Sequence, residues 1–193
     1  MKFEDIAYER KSVKRFKKKK PSWKDVVNAV DLANQGPYAG NNNNLRYLIV
    51  ENDKTIDRVA KLCEQTWIKE SSLLIVVCSD DAYLEDLYGD RGRVYSRQQA
   101  GAAIQTIMLS LTEKGVDSCW VGSYDDEKVR AKLQIPGHIQ IEAIIPVGFE
   151  AGKSSKPHKK DLDKSFYWES WDTKKRPTMF KEHPEDYRPA ETG

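Results

Sequence analysis

Histidine and cysteine are scarce, at three each in 193 residues. His138, His158 and His183 stand far apart, with no cysteine or carboxylate at ligand spacing, so no metal is expected. Cys63, Cys78 and Cys119 form no CxxC pair, which excludes a zinc ribbon and a disulfide framework. The apolar neighbours of Cys78 and Cys119 point instead to reduced, buried thiols. No apolar run is long enough to span a bilayer, and the opening MKFEDIAYERK lacks an export signal's apolar stretch. No membrane partner and a cytoplasmic location are therefore the expectation. An excess of charge of one sign is also missing. With 32 Lys and Arg against 30 Asp and Glu the net charge is +2, which argues against nucleic acid as a partner. Lys17 to Lys20, with Lys153 and Lys156, could be read as a nucleic-acid patch, but no recognised module accompanies them. There is no GxGxxG after a strand, no GxxxxGK[ST] and no GxSxG elbow, so the usual dinucleotide fold, a P-loop and a serine-hydrolase site are all unsupported.

What is present is 39% hydrophobic residues beneath 32% charged ones, enough for a substantial core in a heavily charged shell. Residues 3–9 read as a short helix. If residues 10–16 are extended, Arg10, Ser12 and Lys14 share one face while Val13 turns to the core. Two cations around a hydroxyl suit a phosphate dianion; the competing reading is a solvated basic run, as Lys17 to Lys20 is. Ser22 can cap a helix whose apolar face holds Trp23, Val26, Val27, Val30 and Ala33, with Asp25 at the capping-box position. Residues 36–46, GPYAGNNNNLR, follow it. Gly36, Pro37 and Gly40 let backbone approach a ligand closely, and four consecutive asparagines offer amide donors and acceptors. The competing reading is a plain polar turn.

Residues 45–50 read as a strand with Tyr47, Leu48, Ile49 and Val50 mostly buried, and residues 53–65 as an amphipathic helix. LLIVVC at 73–78 has the continuous apolar character of a strand covered on both faces. Residues 83–97 read as an irregular or partly helical connection of lid size. Residues 99–114 form a helix buried nearly all round, closed by Gly115. Its small residues Ala100, Gly101, Ala102 and Ala103 would let another element or another subunit pack closely. A strand at 117–121 runs into Trp120-Val121-Gly122-Ser123-Tyr124. Asp125 caps a helix with Val129, Ala131 and Leu133, and residues 139–148 form the last strand. A basic loop at 152–160 and a helical turn at 162–171 follow. The organisation expected is a single domain over 1–171 and a charged arm over 172–193, either laid on a surface or disordered.

Four segments, in this order, resemble the nitroreductase family of flavoproteins. Residues 10–16, RKSVKRF, are similar to the family's "RRSxRxF" opening, and residues 36–46 to its "APSAGNxQPW" loop. The 99–115 helix with the 118–122 strand end resembles "aaqnllLaAxxxGLgscWig". Residues 145–149 resemble its "lGyp" close, followed by the basic pair Lys159-Lys160. The resemblance covers residues 3–171. It implies an α+β fold with a central, mainly antiparallel sheet flanked by helices, in an intertwined homodimer with FMN at the subunit interface. On that resemblance Arg10, Lys11, Ser12 and Lys14 fall in the cofactor-binding opening: Arg10 and Ser12 at the flavin phosphate, helped by Lys159 and Lys160, and Lys14 near N1. Pro37, Tyr38, Ala39, Asn41 and Asn43 would border the ring. Gln99 stands where members often carry an acid. The backbone of Val121, Gly122 and Ser123 would reach N5. No catalytic side chain is implied; the flavin does the chemistry, tuned by Lys14 and the Gly122 backbone. The function implied is electron transfer from NADH or NADPH to a nitroaromatic, a quinone or a related small acceptor. A flavin reductase or dehalogenase variant, or a non-catalytic flavin- or nucleotide-binding protein, are the alternatives. Tyr38 replaces the family's usual serine, Asn43-Asn44 its Gln-Pro, and Leu45 its tryptophan, all beside the ring, where they bear on substrate preference.

Overall fold

The computed structural model describes residues 2–159 and 165–174. Two compact units divide the chain, Met1–Lys156 and Pro157–Gly193. In the first, the helices are α1 (Phe3–Glu9), α2 (Trp23–Ala33), α3 (Asp53–Leu62), α4 (Asp81–Tyr88), α5 (Arg91–Glu113) and α6 (Asp126–Leu133). The strands are β1 (Leu45–Val50), β2 (Leu73–Asp80), β3 (Asp117–Ser118) and β4 (Ile139–Gly148). They form one antiparallel sheet in the order β1-β2-β4-β3, as the sequence led one to expect.

Alternation along β2 explains why LLIVVC is apolar throughout. Leu73, Ile75 and Val77 face α2 and α5, packing with Val26, Ala29, Ile104 and Ile107. Leu74, Val76 and Cys78 face the other way, against Ile56, Val59 and Val129 of α3 and α6. Both faces are thus covered by helices. The register slips between Val77 and Cys78, which pair with Ala143 and Ile141 respectively, so Glu142 is the extra residue of a bulge. The bulge re-aims its carboxylate at Ser79 and Arg97. Arg97 also grips Asp81 at 2.6 Å, so one cationic side chain ties α4, α5 and the sheet end together.

The caps read from sequence are present: Ser22 Oγ accepts from the Lys24 N–H at 3.2 Å, and Asp125 Oδ1 from the Lys128 N–H at 3.0 Å. Gly115, at φ +66°, ends α5. The structure differs from expectation in several places; the strand expected over 117–121 is only Asp117–Ser118, with Val121 joined to Ile144 by an isolated bridge. Residues 83–97 are helical, folded as α4 and the first turns of α5 around a tight corner at Gly89 and Gly92. Trp23 and Val27 are 62% and 52% exposed, because α2 seats Val26, Ala29 and Ala33 on α5 and leaves the neighbouring stripe open. Leu48 and Ile49 are exposed as well, because β1 is an edge strand.

The described part of the second unit is an aromatic knot. Tyr167 stacks on Trp171 with centroids 4.7 Å apart, Phe166 meets Trp168 edge-on at 5.1 Å, and Lys174 lies 3.9 Å over the Tyr167 ring. Of the helical turn expected over 162–171, residues 162–164 lie outside the described residues, and residues 165–171 hold turns and bends. Lys160 and most of the expected arm, residues 175–193, lie outside the described residues. Among the described residues no helix is long and apolar enough to cross a membrane.

Candidate functional site

The sequence-derived candidates fall into two groups. The first is built on the extended segment after α1. Its Val13 N–H donates to the Ser118 carbonyl at 3.1 Å, and the Lys17 N–H to the Phe149 carbonyl at 2.7 Å, so the segment is stitched to the end of the sheet. Val13 is fully buried, and alternation turns Arg10, Ser12 and Lys14 the opposite way. These three act together on Cys119. Burial pushes that thiol's pKa up, against the opposing pull of Lys14, Ser12 and Arg10. A cavity of about 200 Å³ is lined by Ser12, Lys14 and Arg15 on one side and by Glu150, Ala151, Lys153 and Ser154 on the other.

Lys14 leads on to the glycine segment. Its ammonium stands 5.7 Å from the Trp67 ring centroid. The Trp67 indole donates to Gln65 Oε1 at 3.2 Å, and the Gln65 amide reaches the Ser123 carbonyl at 3.5 Å. Gly122 and Ser123 are exposed. Their N–H groups have no hydrogen-bond partner among the described residues. Val121 differs: it is buried, and both its N–H and its carbonyl are spent on Ile144, at 2.9 and 3.0 Å. Its backbone is part of the sheet rather than open to a ligand.

The second group is the asparagine loop docked on α5. Gly40 and Asn41 take left-handed conformations, φ +55° and +60°, making a tight turn. A Gly40 Cβ would meet the Tyr88 hydroxyl at 2.2 Å, the end of a side chain that must move aside, and the left-handed φ itself favours glycine there. Gln99, buried, accepts from the Ala39 N–H at 2.8 Å and donates to the Asn42 carbonyl and Asn44 Oδ1 at 3.3 and 3.0 Å. Asn44, fully buried, donates to Ser96 Oγ and to the Asp80 carbonyl at 2.8 and 2.9 Å. Asn43 bridges Asn34 and the Leu45 N–H. Asn42 accepts from the Tyr83 hydroxyl at 2.9 Å. These asparagines therefore hold the loop, and Asn41 is the exposed one. Gln99 spends both amide hydrogens on the loop. Pro37, Tyr38 and Ala39 line a cavity of about 230 Å³ with Tyr95, Gln98, Gln99 and Ala102. The Tyr38 hydroxyl donates to the Ala33 carbonyl at 2.8 Å.

The two groups lie towards opposite ends of α5. Gln99 holds the loop, whereas Thr112 shares a cavity with Lys11 and Asp117 beside the extended segment. At 1.5 Å per residue these two α5 positions are about 20 Å apart. Lys11 turns away from Ser12 to pair with Glu150 at 2.7 Å. Lys159 is exposed in the second unit. Sequence reasoning missed Glu150, Lys153 and Ser154 at the first cavity, although the basic run GKSSK marked the segment.

Burial alone would raise the pKa of Glu150, but hydrogen bonds from Lys11 and Ser154 hold it down, at about 2 against an ordinary 4.5. A depressed carboxylate contributes stability above its unfolded-state pKa and loses it as pH falls through the folded-state value. Stability is therefore expected to drop between about pH 4.5 and pH 2. Urea melts across that range should show a shallower drop for Glu150→Gln; an identical slope would mean that the pair contributes nothing.

Residues 7–74 and 61–149 match the family model described as the nitroreductase family. The chain belongs to the nitroreductase family. The four segments that suggested the resemblance lie within the matched residues, and only the basic pair at 159–160 falls beyond them. Among its relatives, the chain is similar to iodotyrosine deiodinase from Thermotoga neapolitana, 29% identical over 161 residues, covering 75% of this chain and 87% of the relative. It is 24% identical to a Methanothermobacter thermautotrophicus protein provisionally named NADH dehydrogenase/NAD(P)H nitroreductase, with 74% of each chain covered. A solved structure of iodotyrosine deiodinase bound to FMN and 3-iodo-L-tyrosine shares the nitroreductase-family fold at a TM-score of 0.72 and 26% identity, covering 83% of this chain and 96% of that one. A nitroreductase family protein from Clostridium novyi NT matches at a TM-score of 0.73 and 24% identity over 90% and 96%, a likeness of fold.

Proposed function

We propose that this nitroreductase-family chain is an FMN-dependent oxidoreductase working as a homodimer, passing electrons from NADH or NADPH to a small acceptor. The observation that carries the proposal is the cavity lined by Ser12, Lys14 and Lys153, its one acid Glu150 paired with Lys11, with the open N–H groups of Gly122 and Ser123 linked to Lys14 through Trp67 and Gln65. The donor set fits a flavin mononucleotide. Hydroxyl and ammonium groups suit a phosphate dianion, and unspent backbone N–H groups suit the acceptor atoms of a ring edge. Family membership and the FMN-bound structure of an iodotyrosine deiodinase support the same reading.

Arg10, Ser12 and Lys14 hold the phosphate end in this proposal, and Lys14 also places positive charge beside the ring. Gly122 and Ser123 orient the ring through their N–H groups. FMN, when bound, supplies the reversible two-electron chemistry, and the protein supplies binding, orientation and electrostatics. Pro37, Tyr38, Ala39 and Asn41 complete the site from the partner subunit, because the asparagine loop lies towards the other end of α5. The exposed apolar residues Trp23, Val27, Phe3, Tyr8 and Trp120 give the partner a surface to cover.

Purified protein incubated with FMN and desalted is expected to stay yellow, and to bleach on anaerobic addition of NADH or NADPH. Colourless protein that retains no FMN would overturn the proposal. The 29% identity to a deiodinase favours a second reading, reductive removal of halogen from an aromatic ring. Halide release from 3-iodotyrosine by the reduced protein, set beside consumption of nitroaromatics and quinones, decides between the two. Retained FMN without turnover of any acceptor would leave a flavin-binding protein.

A further inference from the structure

Glu150 lines the cavity that Ser12 and Lys14 open onto, where its charge opposes an incoming phosphate. Its carboxylate is nevertheless fully engaged. Oε1 accepts from the Ser154 N–H at 2.8 Å and from the Ser154 hydroxyl, and Oε2 accepts from Lys11 Nζ at 2.7 Å. The Glu150 N–H in turn donates to Asp117 at 2.8 Å. The loop that follows is fixed at three more points. The Ala151 N–H donates to the Arg15 carbonyl at 2.9 Å, Gly152 turns the chain at φ +92°, and Lys156 reaches the carbonyls of Ala7 and Tyr8 at the end of α1. Between these anchors Lys153 faces the cavity with Ser12 and Lys14.

We infer that Lys11 and Glu150 form a charge-compensated brace that presents Lys153 to the phosphate end of FMN, Lys11 acting through Glu150 rather than on the phosphate. The inference rests on the FMN reading above and gives Lys11 a positioning role. Two features carry it. Strand alternation sends Lys11 away from the Arg10, Ser12 and Lys14 face, and its ammonium already has a carboxylate partner at 2.7 Å, both side chains being partly buried. Removing Lys11 leaves an uncompensated anion on the cavity wall, which repels a phosphate dianion but not an uncharged ligand. Removing that anion as well, by Glu150→Gln, keeps an oxygen for Ser154 and cancels the repulsion.

The test is flavin-fluorescence quenching with FMN and with riboflavin, which lacks the phosphate, on wild type, Lys11→Met, Lys11→Met/Glu150→Gln and Lys153→Met. Lys11→Met is expected to weaken FMN binding roughly tenfold and to leave riboflavin within about twofold. The double variant should return to within about threefold of wild type for FMN. Lys153→Met, at an exposed position that does not threaten folding, should lose about tenfold for FMN alone. Apo melting temperatures confirm that each variant is folded. No recovery in the double variant would make Lys11 a direct phosphate ligand and overturn the inference. Equal losses for FMN and riboflavin in Lys153→Met would also overturn it. A wild type that binds both flavins equally would sink the phosphate subsite while sparing the flavin reading. A wild type that binds neither would sink both.

Discussion

An Asn44→Leu variant is expected to lose about 3 kcal/mol of stability and to release the loop at residues 36–46. Leucine fills a similar volume but makes none of the hydrogen bonds. It strands the Asp80 carbonyl and one Gln99 amide hydrogen, and takes one of its partners from Ser96 Oγ, in a site where Asn44 itself is fully buried. Each abandoned polar group costs about 1–3 kcal/mol, and relaxation recovers part of the total. Urea denaturation should show a lower midpoint at an unchanged slope. Amide exchange at Ala39 and Asn42, the residues that Gln99 holds, should accelerate while exchange in β2 follows only the global loss. Asn44→Asp is expected to be no milder, since it removes both donated bonds and adds an anion to a buried site. A wild-type midpoint for Asn44→Leu would mean that this amide cluster is not what holds the loop.

The second large effect concerns the corner between α4 and α5. A Cβ at Gly92 would lie 2.4 Å from the carbonyl carbon and oxygen of Leu84, and 2.5 Å from the Glu85 nitrogen. These are backbone atoms of a packed helix, so no side chain can swing aside. Gly92→Ala is expected to cost about 3 kcal/mol by prising α4 from α5. Gly101, on the same helix, provides the control, for nothing lies within 4 Å of its missing Cβ. Gly101→Ala should raise stability by about 0.5–1 kcal/mol, the ordinary gain of alanine over glycine inside a helix. Thermal melts of both variants should move in opposite directions. An unchanged or raised melting temperature for Gly92→Ala would refute the close approach there.

Local chemistry made much of the fold legible. Capping by Ser22 and Asp125 requires only neighbouring N–H groups, and the buried character of 73–78 requires only its own side chains. The alternation that buries Val13 and turns Ser12 and Lys14 out was readable for the same reason. Features that depend on distant partners were not. Gln99 meets Asn44 across 55 residues of sequence, and Lys11 meets Glu150 across 139. Nothing near Lys11 announces a carboxylate, so it reads as one more cation of a basic run. The α4 helix escaped notice because it buries only Leu84, and its flanking Gly89 and Gly92 look like breakers when they are in fact the corner. Trp23 and Val27 have helical spacing, but spacing alone does not say which part of a wide apolar face another helix will use.

The placement of the two residue groups some 20 Å apart along α5 bears on how such a protein would tolerate change. In the proposed dimer a lesion in the basic segment and a lesion in the asparagine loop damage different halves of each composite site. Two defective alleles, mixed in one cell, would then pair to yield one wholly intact site and one doubly damaged one. Genetic complementation would be built into the geometry.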